Sequence, residues 1–427
     1  MPASQADTLR VNASSPPGSK GRKTMTPKST PQTHLSTCKL ALAISLAFAA
    51  VCLPAQAQTL TTLYSFTGGA DGTQPNGLVR DSAGNLYGTA RYAGDLNCSE
   101  KQGCGTAFKL SQAGTLTVLH TFVGGADGAL PEGTLVLDAA GDLFGTTVYG
   151  GNIYCGNSGG CGTVFKLNAA GKKTILYAFP NSLQASLPGG GVIEDANGNL
   201  YGTTAWGGGA SCSNCGTVFE LRATGGTFTI LHAFTGGTDG QLPYAGLLRD
   251  AAGNLFGTTY SGGAFNGGTA FKLNSVGKET LLHSFGSSPD GIDPIAGLVA
   301  NGADLYGCTP NGGVYSVGAV YKLDKSGNET LLHSFGAPTD GVQPQGSLIH
   351  DASGNLYGTT YSGGAFGYGT VFKIDATGNE TILYSFGGAA DGLGPDSGVI
   401  LDAAGNLYGT TLSGGAFGSG TIFKIAP

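Results

Sequence analysis

The stretch ETLLHSFGAPTDGVQPQGSLIHDASGNLYGTTYSGGAFGYGTVFKI, running from Glu329 to Ile374, decides the fold. It divides into four short apolar segments: Glu329–Phe335, Gly346–Asp351, Leu356–Thr360 and Gly369–Ile374. Asp-Gly, Ser-Gly-Asn and Gly-Gly turns separate them. Segments this short, rich in Leu, Ile, Val, Thr and aromatics and bounded by Gly, Asp and Asn, predict β-strands. No window carries a 3.6-residue apolar period, and glycine at this density would break a helix. A turn through Thr377 and Gly378 then opens the next copy.

Outward from this stretch the pattern repeats. The phenylalanine closing its first segment recurs as Phe66, Phe122, Phe179, Phe234, Phe285, Phe335 and Phe386, at steps of 56, 57, 55, 51, 50 and 51 residues. Four strands at this period are the signature of a propeller blade, so the fold class is all-β: a seven-bladed β-propeller of four-stranded blades. The array begins with a lone first segment, Thr61–Phe66, and ends on a third one, Gly420–Ile425. Suppose the Gly-x-Leu-x-x-Asp segment is innermost. The Leu-His-Ser-Phe segment that follows each copy is then outermost. The last blade lacks that strand, and the N-terminal segment can complete it, removing the exposed edge of an open array. The recurring Asp81, Asp138, Asp195, Asp250, Asp351 and Asp402 precede Gly-Asn or similar pairs and are first of all turn formers.

Composition agrees. Of 427 residues, 77 are glycine, and only 11% are charged. Residues 1–57 differ from the rest: a Ser/Thr/Pro/Lys/Arg-rich leader, an apolar run from Leu40 to Leu53, then Pro54-Ala55-Gln56-Ala57. This reads as a secretory signal, too short and wrongly flanked for a membrane span, with the mature propeller at 58–427. A secreted or periplasmic protein is expected. The segment 58–427 carries 15 Lys and Arg against 26 Asp and Glu. That acidic balance disfavours nucleic acid and anionic membranes. A monomer is expected.

An exported chain meets an oxidising compartment, so its local cysteine pairs predict disulfides: Cys98 with Cys104, Cys155 with Cys161, Cys212 with Cys215. Cys212-Ser-Asn-Cys215 also has the spacing of a redox or zinc motif. Cys308 is left over, where other copies have Thr, and reads as a buried thiol.

The unit Gly-Asn-Leu-Tyr-Gly-Thr-Thr, followed by Gly-Gly and Gly-Thr-Val-Phe-Lys-Leu, stands at Gly198–Thr204 with Gly216–Leu221, where Glu220 replaces Lys. It recurs at Gly354–Thr360 with Gly369–Ile374 and at Gly405–Thr411 with Gly420–Ile425. It resembles the bacterial GloVer tandem-repeat family, also called choice-of-anchor repeat proteins, over essentially all of 60–427. The resemblance implies export, often with a C-terminal surface anchor. The last copy runs to Pro427 without an apolar tail, so no such anchor is expected here. The resemblance supplies no catalytic residues.

Two loops per blade emerge on one propeller face. The blade-to-blade loop carries Asp-Gly at Asp71, Asp127, Asp239, Asp290, Asp340 and Asp391, with Gln184 in the third copy. Each Asp precedes the inner strand. They are either simple turns or a partial ring of carboxylates near the axis, able to hold a hard cation such as calcium. The loops between second and third strands carry Tyr92, Tyr149, Trp206, Tyr260 and Tyr361, which either pack on their own loops or stack on a sugar ring or peptide. Trp206, the sole tryptophan, is the leading contact candidate. His120, His232, His283 and His333 interchange with Tyr64, Tyr177 and Tyr384 at one repeat position, which implies packing with a polar tip and not a general base. There is no zinc-type His pair or phosphate loop. The expected function is a binding or scaffold module for a glycan, another polymer or a protein. The alternatives are a polysaccharide lyase or glycoside hydrolase on the same face and a purely structural surface protein.

Overall fold

In a computed structural model of the chain, the described residues are 58–427 except 99–101, 152–158, 182, 210–211 and 213. The expected export signal lies outside them, as does Cys155 and hence its pairing with Cys161.

Seven four-stranded antiparallel sheets follow one another along the chain, with one 3-10 turn, Gly125–Asp127, as the only helical element among the described residues. Blade 6 shows the order from axis to rim: Ile349–His350, Leu356–Thr360, Thr370–Ile374 and Glu380–Ser385. The outer strand therefore comes from the start of the next sequence copy. In blade 7 it comes from the other end of the chain. Leu60–Ser65 pairs antiparallel with Thr421–Ile425, from Leu60 opposite Ile425 to Ser65 opposite Thr421. The ring is closed by hydrogen bonds across the termini, as the unpaired segments at the two ends predict.

Alternation builds the core between blades. The third strands read buried–buried–buried–half-buried–buried, because both sheet faces are covered by neighbouring blades. The recurring phenylalanine is the spacer. Phe335, at the end of the outer strand of blade 5, meets Phe372 of blade 6 edge to face, with centroids 5.2 Å apart. The same joint is made by Phe66–Phe108, Phe122–Phe165, Phe179–Phe219, Phe234–Phe271, Phe285–Tyr321 and Phe386–Phe423. All seven of these phenylalanines are fully buried. Opposite them, Gly358 leaves room for the ring: a Cβ there would lie 2.6 Å from Phe372 Cζ.

Every outer strand carries a bulge at the same place. In blade 6, Val371 faces Tyr384 and Phe372 faces Ile382, so Leu383 is the extra residue. Its equivalents are Leu63, Leu119, Leu176, Leu231, Leu282 and Leu332, leucine each time. A bulge re-aims side chains. Here it turns the leucine onto the core and leaves the next residue, His or Tyr, at the blade joint. The expected turns are also present. Asp351 Oδ1 accepts from the Asn355 amide at 2.9 Å, and its Oδ2 accepts from Asn355 Nδ2 at 2.7 Å and from the Tyr357 hydroxyl at 3.0 Å.

Candidate functional site

The blade-to-blade loops fall toward the axis through a constant Pro: Pro75, Pro131, Pro188, Pro243, Pro294, Pro344 and Pro395. The residue before it is left-handed in all seven blades. Gln74, Leu130, Leu187, Leu242, Asp293 and Gln343 have φ between 55° and 61°, and Gly394 has 64°. A non-glycine residue pays a steric penalty there, and more so before proline. Hydrogen bonds hold it. The Leu242 amide donates to Cys215 O of the preceding blade at 2.9 Å, while Leu242 O accepts from the Tyr260 amide at 3.0 Å. Strain clamped in this way fixes the residue that follows each proline.

That following residue differs in every blade: Asn76, Glu132, Gly189, Tyr244, Ile295, Gln345 and Asp396. Asn76 turns inward, with Nδ2 donating to Pro131 O at 2.7 Å. The other six line one cavity of about 320 Å³ on the axis, to which all seven blades contribute. Its polar groups are coupled. Arg91 Nη2 lies 2.6 Å from Glu132 Oε1. Burial raises the Glu132 carboxyl against the opposing pull of that guanidinium. Burial also pushes Asp396 up to about 6, with Glu132 adding to the rise and Arg91 opposing it. Asp396 Oδ1 is buried without a hydrogen-bond partner. Tyr244 stands at the rim, 39% exposed, edge to face with Tyr260 at 5.7 Å. The cavity thus joins two carboxylates, an amide and an aromatic face, with the Arg91 guanidinium paired to Glu132 from outside its lining, and this set can bind a polar ligand. An acid titrating near neutrality can also donate a proton.

The five aromatics expected at this face are not among the residues lining the cavity. Tyr260 touches it through Tyr244. Tyr92 carries the Arg91 guanidinium over its ring at 5.1 Å. Tyr361 is 38% exposed and packs toward Gly394. Tyr149 bridges to Ala129, and Trp206 pairs with Ser186; both are half-buried. Four of them thus pack against the blade-to-blade loop beside them, and Tyr92 against Arg91 of its own strand.

The six aspartates do not line the cavity either. The Asp-Gly turn folds each one back onto the outer strand the chain has just left. Tyr64 and Tyr384 donate to Asp71 and Asp391 at 3.0 and 2.7 Å. His120, His283 and His333 place Nε2 3.0–3.2 Å from Asp127, Asp290 and Asp340, and His232 lies 3.5 Å from Asp239. A backbone amide four residues upstream adds a further bond, as from Gly336 to Asp340 at 3.0 Å. These carboxylates latch successive blades at six of the seven joints, Gln184 standing at the seventh. The disulfides Cys98–Cys104 and Cys212–Cys215 form as expected. Cys308 is a free, buried thiol whose pKa burial lifts to about 12.

The residues after proline escaped sequence reading because a search for repeated letters passes over a position that never repeats. The available signal was a variable site fixed behind an invariant Pro.

A family profile described as the Gloeobacter/Verrucomicrobia repeat matches residues 51–215 and 189–423. No curated protein matches the chain. Among solved structures, the extracellular domain of a hybrid two-component system of B. thetaiotaomicron is similar, with TM-score 0.55 and 10% identity, over 86% of this chain and 39% of that one. A chain of the nidogen/laminin complex gives TM-score 0.40 and 16% identity, over 59% of this chain and 83% of that one. At 10% identity the likeness to the first of these is one of fold alone. No helix of the described residues is long and apolar enough to cross a membrane.

Proposed function

We propose, from the premise that the chain belongs to the Gloeobacter/Verrucomicrobia repeat family, that it is an exported binding module whose ligand docks at the mouth of the central channel. One observation carries this reading. The position behind the constant proline differs in all seven copies, and six of its seven occupants line the channel. A purely structural repeat has no need to diversify there and keep everything around it. Carboxylates, Arg91, Gln345 and the Tyr244 face suit a hydroxyl-rich polymer, so a glycan is the favoured ligand class, with a protein segment as the other member. Export is supported by the two disulfides and by the extracellular setting of the similar domain.

The test is a glycan array probed with the purified protein and its Tyr244→Ala and Glu132→Gln variants, with and without calcium. Retained signal on a defined glycan, reduced at least tenfold in both variants, supports the reading. A flat array moves the ligand to the protein class, and binding indifferent to both substitutions refutes the channel as the site.

A second reading, hydrolysis of a polysaccharide, is favoured by Asp396 alone, a carboxyl held near 6 beside a second carboxylate. It predicts release of reducing ends that disappears in Asp396→Asn.

A further inference from the structure

At each of the seven blade joints three positions meet. They are the fifth residue of an outer strand, the Asp or Gln seven residues later, and the first residue of the next blade's outer strand. The seven joints vary in a correlated way. Where the fifth residue is tyrosine, the first residue of the next strand is apolar: Leu116 with Tyr64, Phe228 with Tyr177, Leu60 with Tyr384. Where it is histidine, that residue is charged: Lys173 with His120, and Glu279, Glu329 and Glu380 with His232, His283 and His333.

In the lysine joint the positive charge is built in. Lys173 Nζ lies 2.9 Å from Asp127 Oδ1, and the lysine side chain is only 6% exposed. In the three glutamate joints a second carboxylate stands in place of that ammonium. We propose that each of these three joints binds one divalent ion of the zinc class, through the imidazole Nε2, one Asp oxygen and one Glu oxygen.

The geometry is close to what such an ion requires. In each joint one ligand atom from all three residues lies within 4.8 Å of the others. His333 Nε2 is 3.2 Å from Asp340 and 3.7 Å from Glu380; His232 Nε2 is 3.5 Å from Asp239 and 4.0 Å from Glu279. Tetrahedral zinc, with bonds of about 2.0–2.1 Å, sets ligand atoms about 3.3 Å apart. From separations of up to 4.8 Å, ligand atoms must draw together by up to about 1.5 Å to close the site, which leaves a fourth position for water. Calcium takes oxygen ligands, six to eight of them, so one imidazole and two carboxylates select against it.

An independent feature marks the same joints. His232 Nε2, Glu279 Oε1, Asp290 Oδ1 and Glu329 Oε1 are buried without hydrogen-bond partners; Asp340 Oδ1 and Glu380 Oε1 receive no N–H or hydroxyl donor either, and their two carboxyl groups lie within hydrogen-bonding reach of each other. The three residues of each of the other four joints contribute no such atom among the described residues.

The test uses the purified protein stripped by chelator and dialysed against zinc chloride alone. About three equivalents of zinc are expected to remain bound, with a higher melting temperature than in chelator. The decisive variant is His333→Tyr with Glu380→Leu, which rebuilds that joint in the pattern the chain already uses at Tyr384 and Leu60. It is expected to melt in chelator like the unmodified protein and to bind one equivalent fewer. The same exchange at all three joints is expected to abolish zinc retention. Cobalt loading is expected to give the intense visible absorption of a tetrahedral ion, lost in the triple exchange. Absence of retained zinc, retention of calcium in its stead, or unchanged stoichiometry in the exchanged variants overturns the proposal.

Discussion

Asp127→Asn tests whether the blade latches carry stability. Asp127 receives the ammonium of Lys173, the imidazole of His120 at 3.0 Å and the Val123 amide at 3.0 Å. His120 and Lys173 hold its carboxyl at about 2 despite the opposing effect of burial, against an ordinary 3.8. A folded-state pKa below the unfolded one stabilises the fold above the unfolded value, and that contribution is lost as pH falls through the folded value. The shift corresponds to about 2 kcal/mol, fully present at pH 7 and lost between about pH 4 and pH 2. Asparagine also leaves the Lys173 ammonium nearly buried without its counter-charge, which brings the total to about 3 kcal/mol. For a propeller of this size the unfolding entropy makes that about 4 °C in melting temperature. Asp127→Asn combined with Lys173→Met removes both charges, and the methionine keeps the stem over the Phe122 ring, where Nζ now sits 4.4 Å from the centroid. The double variant is expected to recover most of the loss. Thermal and urea unfolding at pH 7 and near pH 2 measure it. A single variant as stable as the parent at pH 7, or a double variant no better than the single one, refutes the latch.

Other outcomes follow from the same structure. Removing residues 58–66 exposes the edge at Thr421–Ile425 and takes away Phe66, so the protein is expected to self-associate in analytical ultracentrifugation where the parent sediments as one species. Phe335→Ala opens a cavity at the joint between blades 5 and 6 and is expected to cost about 3–5 kcal/mol in urea unfolding. Gln343→Gly relieves a left-handed residue as Gly394 already does, with an expected gain of about 0.5–1 kcal/mol in the same assay. Cys308 is expected to resist a thiol reagent in the folded protein and to react at once in denaturant; rapid labelling of the native state contradicts its burial.

How much of this was legible in the sequence depends on whether a feature repeats. The Phe66-to-Phe386 series repeats at nearly constant spacing, because every blade needs the same spacer against its neighbour, and it gave the blade count. The ring closure was legible for a related reason: two incomplete ends, Thr61–Phe66 and Gly420–Ile425, sum to one missing strand. The Asp-Gly series repeats as well, but its placement near the axis followed from chain proximity to the inner strand. What positions Asp340 is a partner seven residues upstream, His333, and the turn that carries the carboxylate back toward it. Spacing alone does not distinguish a turn that points its side chain forward from one that points it back. The correlated exchange of His with Glu or Lys, and of Tyr with Leu or Phe, spans the gap between one blade and the next. It becomes visible only when residues about 46 to 53 positions apart, such as His333 and Glu380, are known to touch. The channel residues were hidden by the opposite property. Glu132, Tyr244, Gln345 and Asp396 are four different residues, so no repeated letter links them; the backbone does, by holding each behind a clamped left-handed residue and a proline. A fold made of repeated copies can be specific only where the copies disagree, and the position behind the constant proline, which lines the channel in six blades, is one where all seven disagree.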